Sequence, residues 1–286
     1  MPVAPIKRFL AAVERRAAAL GAKLRPPRHE HLYAAWSRAE LDSRPFINIG
    51  AGKFEHPYWR NVDYGSGWYA KDQHAAFVEY DLTAGAPLPF DDRSLALAYT
   101  SHTIEHVGDD AVHNVLRECH RVLRPGGALR VTCPDAGLLY RTLELGARAY
   151  WRWRHPWFTG RLSDAPSLDA VALEDFVVRE IATSKCRFYV HRKSALQPAE
   201  VRARFEELPQ DSFLNWLTSG VTFDPSAPGD HMNWWTEGKL VAALQQAGFE
   251  HIYPSRRGQS LFAPLTDAGR FDRTQPVNSL YVEAVR

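Results

Sequence analysis

Short apolar runs closed by glycine, aspartate or proline recur along the first half of the chain. They are Phe46-Ile47-Asn48-Ile49, Asn61-Val62-Asp63, Val78-Glu79-Tyr80-Asp81-Leu82, Ser94–Thr100 and Ala128–Cys133. Runs of this length with such boundaries predict buried strands. Between the last two, Val112, Val115, Leu116, Cys119, Val122 and Leu123 fall on one helical face. They predict a helix over Asp110–Leu123, opened by Asp109 or Asp110 and stopped by Pro125-Gly126. A later helix is expected over Thr236–Ala247. Thr236 caps it, Glu237 faces its positive end, Leu240, Ala243, Leu244 and Ala247 form its apolar face, and Gly248 ends it. Glu250–Tyr253 and Ser279–Ala284 read as the final strands. Strand alternating with helix implies an α/β fold with a doubly wound parallel sheet, whose ligands sit at the carboxyl ends of the strands. Gly50, Asp63, Asp81, Ser101 and Pro134-Asp135 stand at those ends.

The alternation breaks over residues 137–230, which are rich in aromatic and basic side chains, notably Trp151–Phe158 and Arg187–Arg192. An inserted segment of this length over the ligand edge is expected to be a mostly helical lid that binds the acceptor, or else a satellite core packed for its own sake. Residues 5–24 show helical spacing at Ile6, Leu10, Val13, Ala17 and Leu20, which suits an edge helix, a dimer contact or a membrane-surface helix. Four segments follow: an N-terminal helical region (1–43), a ligand-binding half (44–136), the insertion (137–230) and the C-terminal completion of the sheet (231–286).

Composition narrows the partners. At 286 residues with a formal charge of +2, the chain lacks the basic excess that drives phosphate-backbone binding, which argues against nucleic acid. Cys119, Cys133 and Cys186 are odd in number and lack paired spacing, so a disulfide framework is not expected and a cytoplasmic location is. No apolar stretch approaches membrane-spanning length.

Gly50-Ala51-Gly52 at the end of the first strand permits a sharp turn and close backbone approach to a ligand. With Leu88-Pro89-Phe90-Asp91-Asp92-Arg93-Ser94, Ile104-Glu105-His106-Val107 and Arg121-Val122-Leu123-Arg124-Pro125-Gly126-Gly127, it resembles the class I S-adenosylmethionine-dependent methyltransferases. The resemblance implies a Rossmann-like sheet with an antiparallel last strand and S-adenosylmethionine as methyl donor. It implies donor contacts from Asn48, Gly50, Ala51, Gly52, Asp63, Asp81, Leu82, Ser101 and His102. Asp63 would hold the ribose hydroxyls, and Asp81 with Leu82 the adenine. Asn48 stands where the family usually carries an acid.

Glu105-His106 and the later Asp230-His231…Trp235-Thr236 are also similar to a metal-dependent branch, the small-RNA ribose 2′-O-methyltransferases, in which such segments bind a divalent ion. His102 replaces the first glutamate of that pattern. The resemblance implies Glu105, His106 and His231 as metal ligands, with His102 beside them; imidazole-rich sets favour Zn²⁺ or Mn²⁺ over Mg²⁺. Without metal, His231 would serve as general base, with Asp135 as the runner-up. The C-terminal Phe271-Asp272-Arg273-Thr274 and Ser279–Ala284 look like methyltransferases of bacterial polysaccharide clusters. The expected activity is therefore O-methylation of a saccharide hydroxyl. A quinone or aromatic acceptor is the alternative enzyme reading, and a silent donor-binding module the alternative class.

Overall fold

The computed structural model describes residues 29–65, 76–154, 156, 158, 167–189, 192 and 194–286. The helix expected over 5–24 lies outside them, as do His155, Trp157, Val190 and His191 of the insertion. Two compact units are distinguished, one ending at Arg38 and one spanning Ala39–Arg286. The first contributes a 3₁₀ turn at His29–Tyr33, with the rings of Tyr33 and Trp36 6.2 Å apart. Everything below belongs to the second.

The apolar runs form strands β1 (Phe46–Ile49), β2 (Trp59–Asp63), β3 (Phe77–Glu79), β4 (Leu95–Ser101) and β5 (Leu123–Pro134), followed late in the chain by β6 (His251–Pro254) and β7 (Ser279–Val285). Helices α1 (Asp109–Val122), α2 (Ala136–Glu144), α3 (Leu173–Ile181), α4 (Pro198–Glu207), α5 (Gln210–Thr218) and α6 (Glu237–Gln246) accompany them. The sheet order is β3-β2-β1-β4-β5-β7-β6. Strands β1 to β5 pair in parallel, and β7 runs antiparallel between β5 and β6. The order reverses between β1 and β4, which opens a crevice at their carboxyl ends.

Side-chain alternation divides the sheet into two faces. Ile47, Ile49, Val62, Ala98, Leu129 and Val131 form one core with Val112, Val115, Leu116, Cys119 and Val122 of α1 and Leu240, Ala243 and Leu244 of α6. Each buried Val, Leu or Ile among them contributes roughly 1.5–3 kcal/mol. Thr236 caps α6 as its sequence implies, its hydroxyl accepting from the Lys239 amide at 3.2 Å.

The opposite face is covered by the long connection 255–278. Phe271 packs 4.9 Å from Trp59 and 5.0 Å from Tyr99, between ring centroids. Beside it the fully buried Arg130 of β5 donates to both carboxylate oxygens of Asp272, at 3.1 and 2.6 Å, and to Glu283. Ser255 Oγ and the carbonyls of Arg256 and Gln259 take its remaining donors. This complete set of partners offsets the desolvation of a buried guanidinium.

Helices α2 to α5 enclose a second core of their own. Trp151 stacks on Phe176 at 5.0 Å, Phe158 meets the same ring edge-on at 4.8 Å, and Phe213, Leu217 and Trp234 complete it. Trp151, Phe158, Phe176 and Phe213 are fully buried. These aromatic side chains of the insertion pack against one another rather than presenting faces to a ligand.

Candidate active site

The chain turns after β1 through Gly50 (φ +65°) and Gly52 (φ +51°). A Cβ on Gly50 would lie 2.2 Å from Thr103 Oγ1, so only glycine fits against the loop that follows β4. Asp63, at the end of β2, fastens this turn. Its Oδ2 accepts from the Gly52 amide and its Oδ1 from the Tyr64 amide, each at 2.7 Å. Burial pushes the Asp63 carboxyl up, with these two hydrogen bonds opposing the shift. Each oxygen retains a lone pair for a further donor such as a ribose hydroxyl. Asp81 caps the 3₁₀ turn Leu82–Ala84, its Oδ1 accepting from the Thr83 amide at 2.8 Å and the Thr83 hydroxyl at 2.7 Å.

Around these strand ends lies a cleft of about 350 Å³. Of the donor-binding residues expected from sequence, Gly50, Gly52, Asp63, Asp81, Leu82 and His102 line it, and His106 joins them. Asn48, Ala51 and Ser101 do not line it. Asn48 is buried with its Oδ1 unbonded, and the Ser101 hydroxyl accepts from Thr132 Oγ1 at 2.8 Å. Sequence reading missed Tyr64, Thr103, Val107 and a stretch of the insertion comprising Phe223, Pro225, Pro228 and Gly229, which also line the cleft. The prolines and glycine mark a loop there, yet nothing in the residue pattern ties that loop to the donor edge.

At one side of the cleft three elements bring charge together. Glu105 sits in the short turn Ile104–His106 after β4, and its side chain is 1% exposed. Its backbone carbonyl accepts from the amides of Met232 at 2.9 Å and Asn233 at 3.1 Å, which staples the segment before α6 to this turn. The other parts of that later motif have structural duties. Trp235 is buried and its indole donates to the Ile104 carbonyl at 3.3 Å, while the Asp230 carbonyl accepts from His106 Nδ1 at 3.1 Å. His231 donates from Nδ1 to the Glu180 carbonyl of α3 at 2.5 Å, and its own amide donates to Thr183 Oγ1 at 3.0 Å. A carbonyl can only accept, so both imidazoles carry a proton on Nδ1.

The carboxylate oxygens of Glu105 are buried and receive no amide or hydroxyl donor. Their neighbours are imidazoles, with His102 Nδ1 at 3.1 Å and His106 Nε2 at 3.8 Å. Burial alone would raise the Glu105 carboxyl, but His102, His106 and His231 overcome it and hold the group at about 2. His231 is driven down to about 3 by burial and by His106, against the opposing pull of Glu105. It is therefore neutral at physiological pH. His102, in a left-handed conformation (φ +52°), is braced on its far side by Ser279 Oγ at 2.7 Å.

This set fits a divalent ion. One ligand atom each from Glu105, His106 and His231 lies within 4.8 Å of the others. Ligands 2.0–2.2 Å from a shared ion are about 3–4 Å apart, so modest contraction suffices. Two imidazoles with their second nitrogens fixed on carbonyls, plus one unsatisfied buried carboxylate, form a two-histidine, one-carboxylate donor set. Asp135 has a different place. Its Oδ1 caps α2 by accepting from the Leu138 amide at 2.9 Å.

Comparison with known proteins agrees with this geometry. Residues 61–131 match the family described as "Methyltransferase domain". An uncharacterized 37.1 kDa protein in transposon TN4556 of Streptomyces fradiae is 42% identical over 78 residues, which is 26% of this chain. The matched stretch spans only 22% of that relative's length. Among solved structures, an S-adenosylmethionine-dependent methyltransferase from Mesorhizobium loti is similar at 17% identity and a TM-score of 0.39, over 90% of this chain and 96% of that one. Another, from Archaeoglobus fulgidus, is similar at 11% identity and 0.38, over 94% and 98%. At such scores these two likenesses carry no weight here. The family match covers the strand ends at Asp63, Asp81 and His102 but not the glycine turn after β1, and the sheet places one antiparallel strand, β7, between β5 and β6. Residues 61–131 of the chain carry a methyltransferase domain.

Proposed function

We propose that this chain transfers the methyl group of S-adenosylmethionine to a hydroxyl of a saccharide, with Glu105, His106 and His231 holding a divalent ion beside the donor cleft. The observation that carries this reading is the convergence of the His106 and His231 imidazoles on the buried Glu105 carboxylate, with His106 also lining the cleft. In the transfer, the carbon–sulfur bond of the sulfonium breaks as the oxygen–carbon bond forms. The hydroxyl's proton passes to solvent water and the donor leaves as a neutral thioether. A neutral hydroxyl is a poor nucleophile, and a divalent ion supplies Lewis-acid lowering of its pKa. The chain's own part is orientation: Asp63 and the glycine turn hold the donor, while Glu180 and Asp230 fix the tautomers of His231 and His106.

The low proton affinity of His231 weighs against a metal-free base. A group held at about 3 cannot retain a proton taken from a sugar hydroxyl at neutral pH, whereas a free Nε2 lone pair suits a metal. A saccharide is favoured because vicinal hydroxyls can chelate an ion. The C-terminal Phe271 and Asp272 support this only through family likeness, since both serve the scaffold. Turnover on a panel of sugars should cease in chelator and return on adding Zn²⁺ or Mn²⁺. Turnover that persists in chelator would reject the metal, and turnover of a catechol in place of every sugar would redirect the acceptor class.

A further inference from the structure

The cleft has one wall that comes from outside the sheet. Phe223 lines it and is still 39% exposed, one of only five large apolar side chains so exposed among the described residues. Burying such a ring on a ligand is favourable in proportion to the area covered.

The loop presenting it is braced. The Val221 amide donates to the Thr218 carbonyl at 3.1 Å. Asp224 Oδ1 accepts from the amide of Ser226 at 2.9 Å and from its hydroxyl at 2.6 Å. The amide of Ala227 donates to the Asp224 carbonyl at 2.9 Å, and that of Asp230 to the Ala227 carbonyl at 3.0 Å. Pro225 and Pro228 line the cleft as well and fix their own φ angles. At its end the Asp230 carbonyl holds His106. A ring on a loop stiffened in this way needs little further ordering to bind.

We propose that Phe223 is a donor-binding residue, whose ring covers the adenosine portion of S-adenosylmethionine in the cleft that Asp81 and Leu82 also line. The insertion then completes the donor site through this one loop, while its other aromatic side chains build its core. The proposal rests on the assignment of the cleft to S-adenosylmethionine and is independent of the metal.

Calorimetric titration of S-adenosylmethionine and of S-adenosylhomocysteine into the full chain tests it, in chelator. Phe223→Ala should weaken both about 10-fold, with Phe223→Tyr within about twofold of the natural protein. Thr222→Ala, an exposed neighbour that does not line the cleft, should match the natural protein. Affinity of Phe223→Ala within twofold of the natural protein would overturn the proposal, and an increase confined to the acceptor KM would give the ring to the acceptor instead. A Phe223→Trp variant provides a second reading: its added emission should shift on donor addition, and an unchanged difference spectrum would also overturn the proposal. Absence of donor binding to the natural protein would defeat the cleft assignment itself, and this proposal with it.

Discussion

The imidazoles of His106 and His231, 125 positions apart in sequence, meet edge to face with centroids 4.9 Å apart and planes at 77°. Each is fixed through Nδ1 to a backbone carbonyl, and Glu105 lies beside them, a carboxylate oxygen within 4.8 Å of a ring nitrogen of each. Such an arrangement is costly to build from buried groups unless the unsatisfied atoms find a partner.

Removing a member of the set should therefore abolish turnover without affecting the donor. His231→Ala is expected to lower kcat by at least about 100-fold, more than the loss typical of an outer-shell partner. Its donor Kd should stay within about twofold. Kinetics paired with donor calorimetry check this, and near-normal turnover would take His231 out of the mechanism.

The donor side has its own variants. Asp63→Ala removes the acceptor of the Gly52 amide and should weaken donor binding at least several-fold. Gly50→Ala combines a left-handed backbone with a contact of 2.2 Å to Thr103 and should cost about 1–3 kcal/mol or more, together with donor binding. Urea unfolding and calorimetry separate the two effects.

Much of this architecture is legible in the amino-acid sequence alone. The strands and both flanking helices follow from apolar periodicity, and the helix expected over Asp110–Leu123 spans Asp109–Val122. Asp63 and the glycines are recognisable because turn chemistry is a local signal, whereas Glu105, His106 and His231 come together as candidates only through family resemblance, since His231 lies 125 positions from His106. What stays hidden depends on long-range packing. A tryptophan reads alike whether it stacks on a sugar or on Phe176, so residue type alone does not reveal the burial of Trp151. Arg130 looks like one polar position in a strand, although Asp272, 142 residues later, folds back to hold it. Phe223 gives no sign that its loop returns to the donor edge.

Arg130 supports a stability prediction. Arg130→Met leaves Asp272 and Glu283 buried without their cation, which should destabilise the fold by about 3–5 kcal/mol. Replacing all three with apolar residues should recover part of that loss. Chemical denaturation of the single and triple variants measures both.

Stability should also fall in acid, with chelator present. His231 is lowered from 6.5 to about 3 and Glu105 from 4.5 to about 2 on folding. For both groups the unfolded chain binds protons more readily than the folded one, so stability is lost as pH falls. The His231 contribution is complete above 6.5 and declines towards 3, while that of Glu105 declines between 4.5 and 2. Each pH unit of such a window corresponds to about 1.4 kcal/mol per group. Urea midpoints should drop between about pH 7 and 5 in the natural protein and drop less in His231→Gln. Equal slopes in the two proteins would show that His231 does not titrate as its surroundings require.

Ion selectivity follows from the donor set. Two imidazoles and one carboxylate favour Zn²⁺ or Mn²⁺, because Mg²⁺ prefers oxygen ligands and gives up its water reluctantly. Direct titration into chelator-treated protein should show Zn²⁺ or Mn²⁺ binding at least about 10-fold more tightly than Mg²⁺. His102 is the position that should move this balance. It lies 3.1 Å from Glu105 and is braced by Ser279, so it supports the carboxylate from the side. His102→Glu exchanges that support for a second carboxylate beside the first, which without an ion repels Glu105 and with an ion adds an oxygen ligand. The variant should therefore bind Mg²⁺ more tightly than the natural protein and lose more stability in chelator. If the ratio of Mn²⁺ to Mg²⁺ affinity is the same in both proteins, His102 lies outside the ion's reach, and the selectivity belongs to Glu105, His106 and His231 alone.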